Sequence, residues 1–227
     1  LVACMLAGPA SQKRVIVSDL PEHVEQWIGA LGYVVPSRCA ADLSFSTYEY
    51  NPVRGDWRIV GAIADGTQYD PAASTAYVFD FVTGTMPDRD LPGDFADFLE
   101  IGLLIASDSL AAFHSYVEST FPAYRVSDET LYGAFALYQL ADGEFGADAF
   151  HAACTMLDVH GDDAKRGEFL RAALSCPQSV SLVTDPHTQP VLLDFVNRTA
   201  RGWSVLLELT FDAEGSLLDC ADGQAAR

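Results

Sequence analysis

Four closely spaced residues in the second half of the chain combine side chains that could hold a metal ion or exchange protons. They are Asp158, His160, Asp162 and Asp163. Imidazole and carboxylate groups at this spacing could ligate a divalent cation or act as an acid and base pair. The same residue types also suit a junction between two helices, with Gly161 ending one helix and an aspartate capping the next. We favour the structural interpretation and keep a metal-dependent hydrolase as an alternative.

A second acidic segment is similar to a calcium-binding loop. A loop starting at Asp88 would place Asp90 at its third position, Gly93 at its sixth and Asp94 at its seventh, and the glycine falls where such a loop must turn sharply. The pattern fails at the fifth position, which is a proline, and at the twelfth, where Leu99 replaces the bidentate glutamate. We therefore interpret this segment as an acidic linker that caps the following helix.

The remaining reactive side chains form no known catalytic motif. The sequence contains neither the GxSxG turn of serine hydrolases nor the HExxH zinc helix. The phosphate-binding patterns GxxxxGK[ST] and GxGxxG are also absent from it. We therefore predict no catalytic residue, no bound cofactor and no metal.

Aromatic residues surround one turn and could form a contact surface. Tyr48, Tyr50 and Trp57 flank the segment 51–55, which contains a proline, a glycine and Arg54. Proline and glycine favour a tight turn because they suit its unusual backbone angles. The three aromatic residues and Arg54 are our candidate interaction residues. The alternative is that the aromatic rings pack across neighbouring strands.

Charge and composition exclude some classes of partner. The formal net charge is −19, from 32 acidic and 13 basic residues, so the surface repels nucleic-acid phosphates and anionic lipids. We therefore expect no nucleic-acid and no membrane partner. Between Ala62 and Asp163 the only basic residues are Arg89 and Arg125. This acidic stretch either keeps the protein soluble or provides a docking face for a basic protein.

Cysteine usage indicates a reducing compartment. Five cysteines are spread along the chain without a CxxC pair, and the odd number does not suit a disulfide framework. We therefore expect the cysteines to be reduced and mostly buried, as in a cytoplasmic protein. In addition, no apolar run reaches the length of about 18 residues that a membrane-spanning helix needs.

The pattern of apolar residues predicts an α+β fold. Residues 14–18 are typical of a buried strand, and Asp19 and Pro21 suit the start of an apolar-striped helix. Three further strands are predicted at 43–50, 57–64 and 76–82. Residues 1–90 are thus predicted to form a small mixed β-sheet with one or two helices.

Beyond the sheet, helical periodicity replaces alternation. Helices are predicted at 95–106, 108–121, 128–140, 147–159 and 164–174. Ser107, Ser127 and Asp162 are the predicted N-caps. We expect residues 91–176 to form a helical bundle or array. Residues 177–227 are predicted to be a mixed segment, with strand-like composition at 180–184 and 205–211.

One strand motif and the order of elements in the first third carry a family resemblance. Val35-Pro36 precedes the strand LSFSTY at 43–48, and strands at RIVGAIAD and YVFDFVTG follow. Over about residues 1–90 this arrangement resembles the middle domain of the bacterial GTPase-associated protein family. The resemblance implies that this chain is part of a large multi-domain protein. Members of this family are typically encoded beside small Ras-like GTPases in signalling or conflict systems. It carries no catalytic residues over to this chain.

Three functions follow from these observations. The leading hypothesis is a non-enzymatic interaction or scaffold module, which contacts a small GTPase and other domains of its own protein. The first alternative is the metal-dependent hydrolase built on His160 and its neighbouring aspartates. The second is a helical array that binds peptides, if the helices from residue 92 stack in register.

Overall fold

The chain folds into two compact units, Leu1–Asp128 and Glu129–Arg227. The computed structural model describes residues 1–11, 13–63, 66–67, 75–122, 128–140, 146–176 and 179–208. A small sheet in the first unit precedes a helical region, so the predicted α+β class is confirmed. The finer division at residues 90 and 176 stays a prediction.

The first unit is built on a four-stranded sheet. Its strands are β1 (Arg14–Ser18), β2 (Phe45–Ser46), β3 (Ile59–Ala62) and β4 (Ala76–Asp80). The strand order is β2-β3-β1-β4, and each pairing of these strands is parallel. We predicted a mixed sheet. Among the described residues, antiparallel pairing is limited to a single bridge between Asp80 and Thr85. Parallel pairing requires long crossovers between strands, and residues 47–58 supply one between β2 and β3.

The central strand β1 is buried along nearly its whole length. Val15, Ile16 and Val17 are each almost fully inaccessible to solvent, and so are the residues of β3. A continuous apolar run of this kind is typical of a parallel strand that is covered on both faces. β1 packs against α1 (Val2–Ser11) and α2 (Pro21–Val34). The predicted strand and helix at the start of the chain are therefore confirmed.

Helix α2 begins at Pro21, and the prediction that Asp19 is its N-cap is wrong. Leu20 is the N-cap residue, and the Asp19 carboxylate accepts hydrogen bonds from the Leu20 amide at 2.7 Å and the Trp27 indole at 2.9 Å. His23 Nδ1 lies 3.2 Å from the same carboxylate. Burial by itself would raise the pKa of Asp19, but these hydrogen bonds together lower it. Trp27 is thereby fixed, and its ring stacks on Phe81 with 4.4 Å between the centroids.

A close backbone approach fixes the segment that follows β2. A Cβ added to Gly61 would lie 2.0 Å from the Thr47 carbonyl oxygen and 2.5 Å from Val24 Cγ1. The Glu49 amide donates to the Gly61 carbonyl at 3.1 Å. The predicted strand 43–50 is correspondingly shorter, because only Phe45 and Ser46 join the ladder before the chain crosses Gly61. The next residues run over β3 and do not extend β2.

Three helices complete the described part of the first unit. They are α3 (Ser37–Ala41), α4 (Gly93–Leu104) and α5 (Ser107–Thr120). α4 and α5 pack tightly where a Cβ on Gly102 would lie 3.1 Å from Leu110 Cβ. Ala106 occupies the N-cap position of α5, so the prediction of Ser107 there is wrong. The chain turns directly from α4 into α5, which leaves Ser107 inside the first helical turn.

The described residues of the second unit form helices joined by short non-helical segments. Its helices are α6 (Asp128–Leu140), α7 (Ala147–His160), α8 (Asp163–Ser175), α9 (Ser179–Thr184) and α10 (Gln189–Arg198), followed by a helical segment at 202–208. Phe150, Phe169 and Phe195 link α7, α8 and α10, with 5.5 Å between successive ring centroids. The helices predicted between residues 128 and 174 are confirmed. The N-cap predicted at Ser127 lies outside the described residues.

The strands predicted near the end of the chain are wrong where the structure describes them. Residues 180–184 belong to α9, and residues 205–208 are helical. Leu182 and Val205 are buried, and the Thr188 hydroxyl donates to the Leu182 carbonyl at 3.0 Å. Burial of Leu182 and Val205 on helical faces has overridden the strand-like composition of these segments. Residues 209–211 lie outside the described part.

Substitution of Gly61 by alanine tests the backbone approach. We expect G61A to lower the free energy of unfolding by about 2–3 kcal/mol, because the new methyl group overlaps a backbone oxygen that cannot rotate away. Chemical denaturation monitored by circular dichroism measures the change. The matched control is G29A at an exposed position of α2, where an added Cβ meets nothing within 4 Å and the free energy of unfolding should rise by about 0.5–1 kcal/mol. Equal effects of the two changes would contradict the geometry.

The pH dependence of stability tests the packing of α5 on α2. His114 Nε2 lies 3.3 Å from the Val34 carbonyl oxygen, and burial lowers the pKa of His114 although this contact and Glu118 favour its charged form. The unfolded state therefore binds more protons as the pH falls through the ordinary histidine value. We expect the free energy of unfolding to drop between about pH 7.5 and about pH 5.5. The variant H114Q, which does not titrate, should reduce this slope, and an unchanged slope would show that His114 is not the group responsible.

Candidate interaction surface

The candidate metal ligands near residue 160 are engaged by basic side chains of their own unit. Asp158 on α7 accepts a hydrogen bond from Arg198 on α10. Arg166 Nε on α8 lies 3.9 Å from the other oxygen of this carboxylate. Arg198 also contacts Asp194 at 2.7 Å. Asp158 thus joins three helices through ion pairs, which is a structural role.

The other two aspartates of this cluster serve the start of α8. Asp162 is its N-cap, as predicted, and accepts a hydrogen bond from the Lys165 amide at 2.8 Å. Asp163 lies 3.4 Å from the Arg166 guanidinium. Gly161 ends α7 with φ at −87°, so its role is space: an added Cβ would lie 2.5 Å from the Leu157 carbonyl oxygen. Gly161 therefore ends one helix and Asp162 caps the next, as the structural interpretation of this cluster predicted.

Neither acidic segment gathers ligands in the part of the chain that the structure describes. No group of three or more His, Cys, Asp or Glu side chains there is placed to hold a metal ion. Burial lowers the pKa of His160, the fourth member of the cluster. Residues 93–99 of the segment similar to a calcium loop lie in α4, and the prediction that its acidic residues cap this helix is wrong because Pro92 is the N-cap. A helical backbone cannot wrap around an ion as a calcium loop does.

Substitutions at Asp158 and Asp163 separate these roles. We expect D158N to lower the free energy of unfolding by about 1–2 kcal/mol, since two arginines lose a partly buried partner. The control D163N removes a largely exposed ion pair and should change it by less than about 0.5 kcal/mol. Urea unfolding measures both. A melting temperature that rises with Mg²⁺, Mn²⁺ or Zn²⁺ in the wild type but not in D163N would instead support a metal site.

The aromatic surface predicted around the 51–55 turn is exposed in the structure. It consists of Phe45, Tyr48, Tyr50, Val53, Arg54 and Trp57, all of which are accessible to solvent. Tyr50 is 63% exposed and Trp57 is 42% exposed. We call these six residues the aromatic surface. Contiguous exposed apolar patches are one feature by which contact sites on folded proteins are recognised.

Hydrogen bonds within the domain fix the polar ends of two of these rings. The Tyr48 hydroxyl donates to the Gly66 carbonyl at 2.6 Å, and the Trp57 indole donates to Glu49 at 2.9 Å. Two large side chains are thereby held in place while substantial parts of their rings stay in solvent. Such residues lose little conformational entropy on binding and are enriched among the residues that dominate interface energetics.

The backbone of the turn is fixed independently of its aromatic side chains. Arg14 at the start of β1 donates to the Pro52 carbonyl at 2.9 Å. The Arg54 amide donates to Asn51 at 3.0 Å, and Gly55 adopts a φ of 110° that disfavours any other residue. The turn is therefore attached to the central strand. It presents its side chains from a defined position.

Two members of the aromatic surface were not among our candidate residues. Phe45 belongs to the longer strand predicted at 43–50, and Val53 belongs to the predicted turn. Phe45 is exposed because β2 is an edge strand only two residues long. The hydrophobicity of a residue predicted to lie in a turn is the signal that would have identified Val53.

A cleft of about 470 Å³ opens elsewhere on the first unit. Its lining is mostly apolar and comes from α1, α2, β4, α4 and the segment before α4. Trp27 and Phe81 form part of its wall, and the charged groups at the lining belong to Arg89, Asp90 and Glu100. None of the predicted interaction residues lines it.

Comparison with known proteins gives a family match for the segment that carries the aromatic surface. Residues 1–83 match the family model described as GTPase-associated protein 1, middle domain. This segment includes all four strands of the sheet, and the resemblance predicted from LSFSTY and the order of elements is confirmed. No curated protein and no solved structure matches the chain significantly. Among the described helices, none has both the length and the apolar character needed to cross a bilayer.

Proposed function

We propose that this chain is a non-enzymatic interaction module of a multi-domain bacterial protein that works with a small Ras-like GTPase in signalling or conflict systems. The observation that carries the proposal is that the aromatic surface lies within the segment matching a GTPase-associated domain. The surface is the contact site in this proposal. The GTPase, or another domain of the same protein, is the partner.

The composition of the aromatic surface supports a protein partner. Tyrosine, tryptophan and arginine are the residues most enriched at the energetic centres of protein interfaces. Tyr50 and Trp57 supply large apolar rings, and Arg54 is an exposed donor beside them. Glu49 and Asp56 add acidic groups near the same turn, as expected of a polar rim.

The use of the ionisable side chains supports a non-enzymatic role. A catalytic group has to face a substrate, whereas Asp158 and Asp163 face arginines and Asp162 caps a helix. We therefore do not propose the metal-dependent hydrolase. The peptide-binding array is also not proposed, because the predicted helices between residues 93 and 175 belong to two compact units.

The state of the cysteines supports a location in the cytoplasm. Cys4, Cys39, Cys154 and Cys176 are free and buried. Burial raises the pKa of the Cys39 thiol to about 12, which keeps it protonated and unreactive at neutral pH. Cys220 lies outside the described residues. Unpaired thiols of this kind suit a reducing compartment.

Binding measurements with alanine variants test the proposed contact. Calorimetric titration with a small Ras-like GTPase of the kind that the family resemblance implies, with GDP or a GTP analogue bound, gives the affinity. We expect W57A and Y50A each to weaken binding by about tenfold or more, since each removes an exposed anchor ring. The matched control is W203A in the second unit, where Trp203 is 48% exposed and also donates its indole proton to a neighbouring side chain, Asn197.

The control separates two ways in which the proposal could fail. If W203A weakens binding as much as W57A, the GTPase does not bind through the aromatic surface. If the wild-type protein binds the GTPase in neither nucleotide state, the proposed contact with the GTPase is wrong, and another domain of the same protein is left as the partner. Circular dichroism of each variant verifies that the fold is unchanged.

A further inference from the structure

The end of α4 exposes aliphatic side chains that its packing does not use. Leu104 is 69% exposed and Ile105, the C-cap residue, is 84% exposed, and Ile101 one turn earlier is exposed as well. Because residues three and four positions apart share a helix face, these three side chains lie together. We call them the α4 patch. It lies apart in sequence from the aromatic surface and is formed by different residues.

The α4 patch is not the core-facing side of its helix. Phe95, Leu99 and Gly102 are the buried residues of α4, and Gly102 lies directly against Leu110 of α5. The core-facing side is thus already covered. Adjacent, strongly exposed leucine and isoleucine side chains contribute nothing to this packing, and a contiguous apolar patch of this kind indicates a binding site.

Acidic residues flank the α4 patch at both ends. Asp97 precedes Ile101 by one turn on the same face, and Asp108 follows in the first turn of α5, with both side chains exposed. No lysine or arginine occurs between Gly93 and Thr120. The C-terminal end of α4 adds the negative end of a helix dipole close to the patch. The electrostatic potential around the α4 patch is therefore negative both before it, at Asp97 on α4, and after it, at Asp108 on α5.

We propose that the α4 patch binds a basic amphipathic helix supplied by a protein partner. The apolar stripe of such a helix would cover Ile101, Leu104 and Ile105. Lysine or arginine residues beside the stripe would face Asp97 at one end and Asp108 at the other. This arrangement is the common mode in which an amphipathic helix lies on an apolar surface, with charge fixing its register.

The negative charge around the α4 patch favours a basic helix over two other partners, an anionic membrane and a second copy of this chain. A membrane with anionic lipids would be repelled by the flanking carboxylates. A second copy of this chain would bring the same acidic groups against them, and the chain carries a net charge of −19. A basic segment is the partner whose charge complements the patch. This binding does not depend on the proposed contact with a GTPase.

A synthetic peptide provides the test. The probe is a fluorescein-labelled helix of leucine and lysine about 18 residues long, with leucines on one face. A second peptide of identical composition carries the leucines in scrambled order, so it keeps the charge and loses the stripe. Fluorescence anisotropy with the 227-residue chain at about 0.15 M salt, which screens non-specific attraction, gives both affinities. We expect the amphipathic peptide to bind at least tenfold more tightly than the scrambled one.

Protein variants then locate the binding site. L104S/I105S should weaken binding of the amphipathic peptide at least tenfold, and D97N/D108N should weaken it severalfold and reduce its salt dependence. The matched control is V159S, which removes an exposed aliphatic side chain from the second unit. These positions are exposed, so unfolding curves should match those of the wild type.

Several outcomes would overturn the proposal. Equal affinity for the two peptides would show that charge alone attracts them. Equal loss in V159S and L104S/I105S would place the site elsewhere or show it to be non-specific. Sedimentation of the wild type as a dimer that L104S/I105S dissociates would make the α4 patch a contact between copies of this chain.

Discussion

The position of the aromatic surface depends on the absence of a side chain at Gly61. The Thr47 carbonyl oxygen occupies the space that any Cβ at this position would fill, and the Glu49 amide is hydrogen-bonded to the Gly61 carbonyl. The chain can therefore cross β3 directly after a two-residue strand. Tyr48 and Tyr50 emerge from this crossing segment, and Trp57 follows it with its indole bonded to Glu49. The backbone contact between Gly61 and residues 47–49 thus fixes the positions of Tyr48 and Tyr50.

The charged residues of the second unit stabilise its own helices. Asp158 receives two arginines from two other helices, and Asp162 satisfies an amide at the start of α8. A carboxylate that is already paired in this way is costly to move, because its partners would be left partly buried without a counter-charge. The residues that were most suggestive of chemistry in the sequence are therefore part of the framework. Exposed apolar groups are left as the functional candidates.

Local patterns predicted much of the fold. The strand 14–18 and the helices α2 and α4 to α8 followed from apolar periodicity, since each of these elements buries one continuous stripe or run. The parallel arrangement of the sheet and the helical state of residues 180–184 did not follow. Both depend on which distant segments pack together, and valine and leucine suit either structure.

The sequence by itself determined the family resemblance over residues 1–83, the helices between residues 93 and 175 and the unusual group of aromatic residues around the 51–55 turn. These properties follow from local spacing and residue type. Only the tertiary structure decided that Phe45 joins those aromatic residues in solvent, that Asp158 faces arginines, and that Leu104 and Ile105 have no role in the core. Exposure and pairing depend on which distant segments come into contact, and apolar or charged residue types alone do not specify their neighbours.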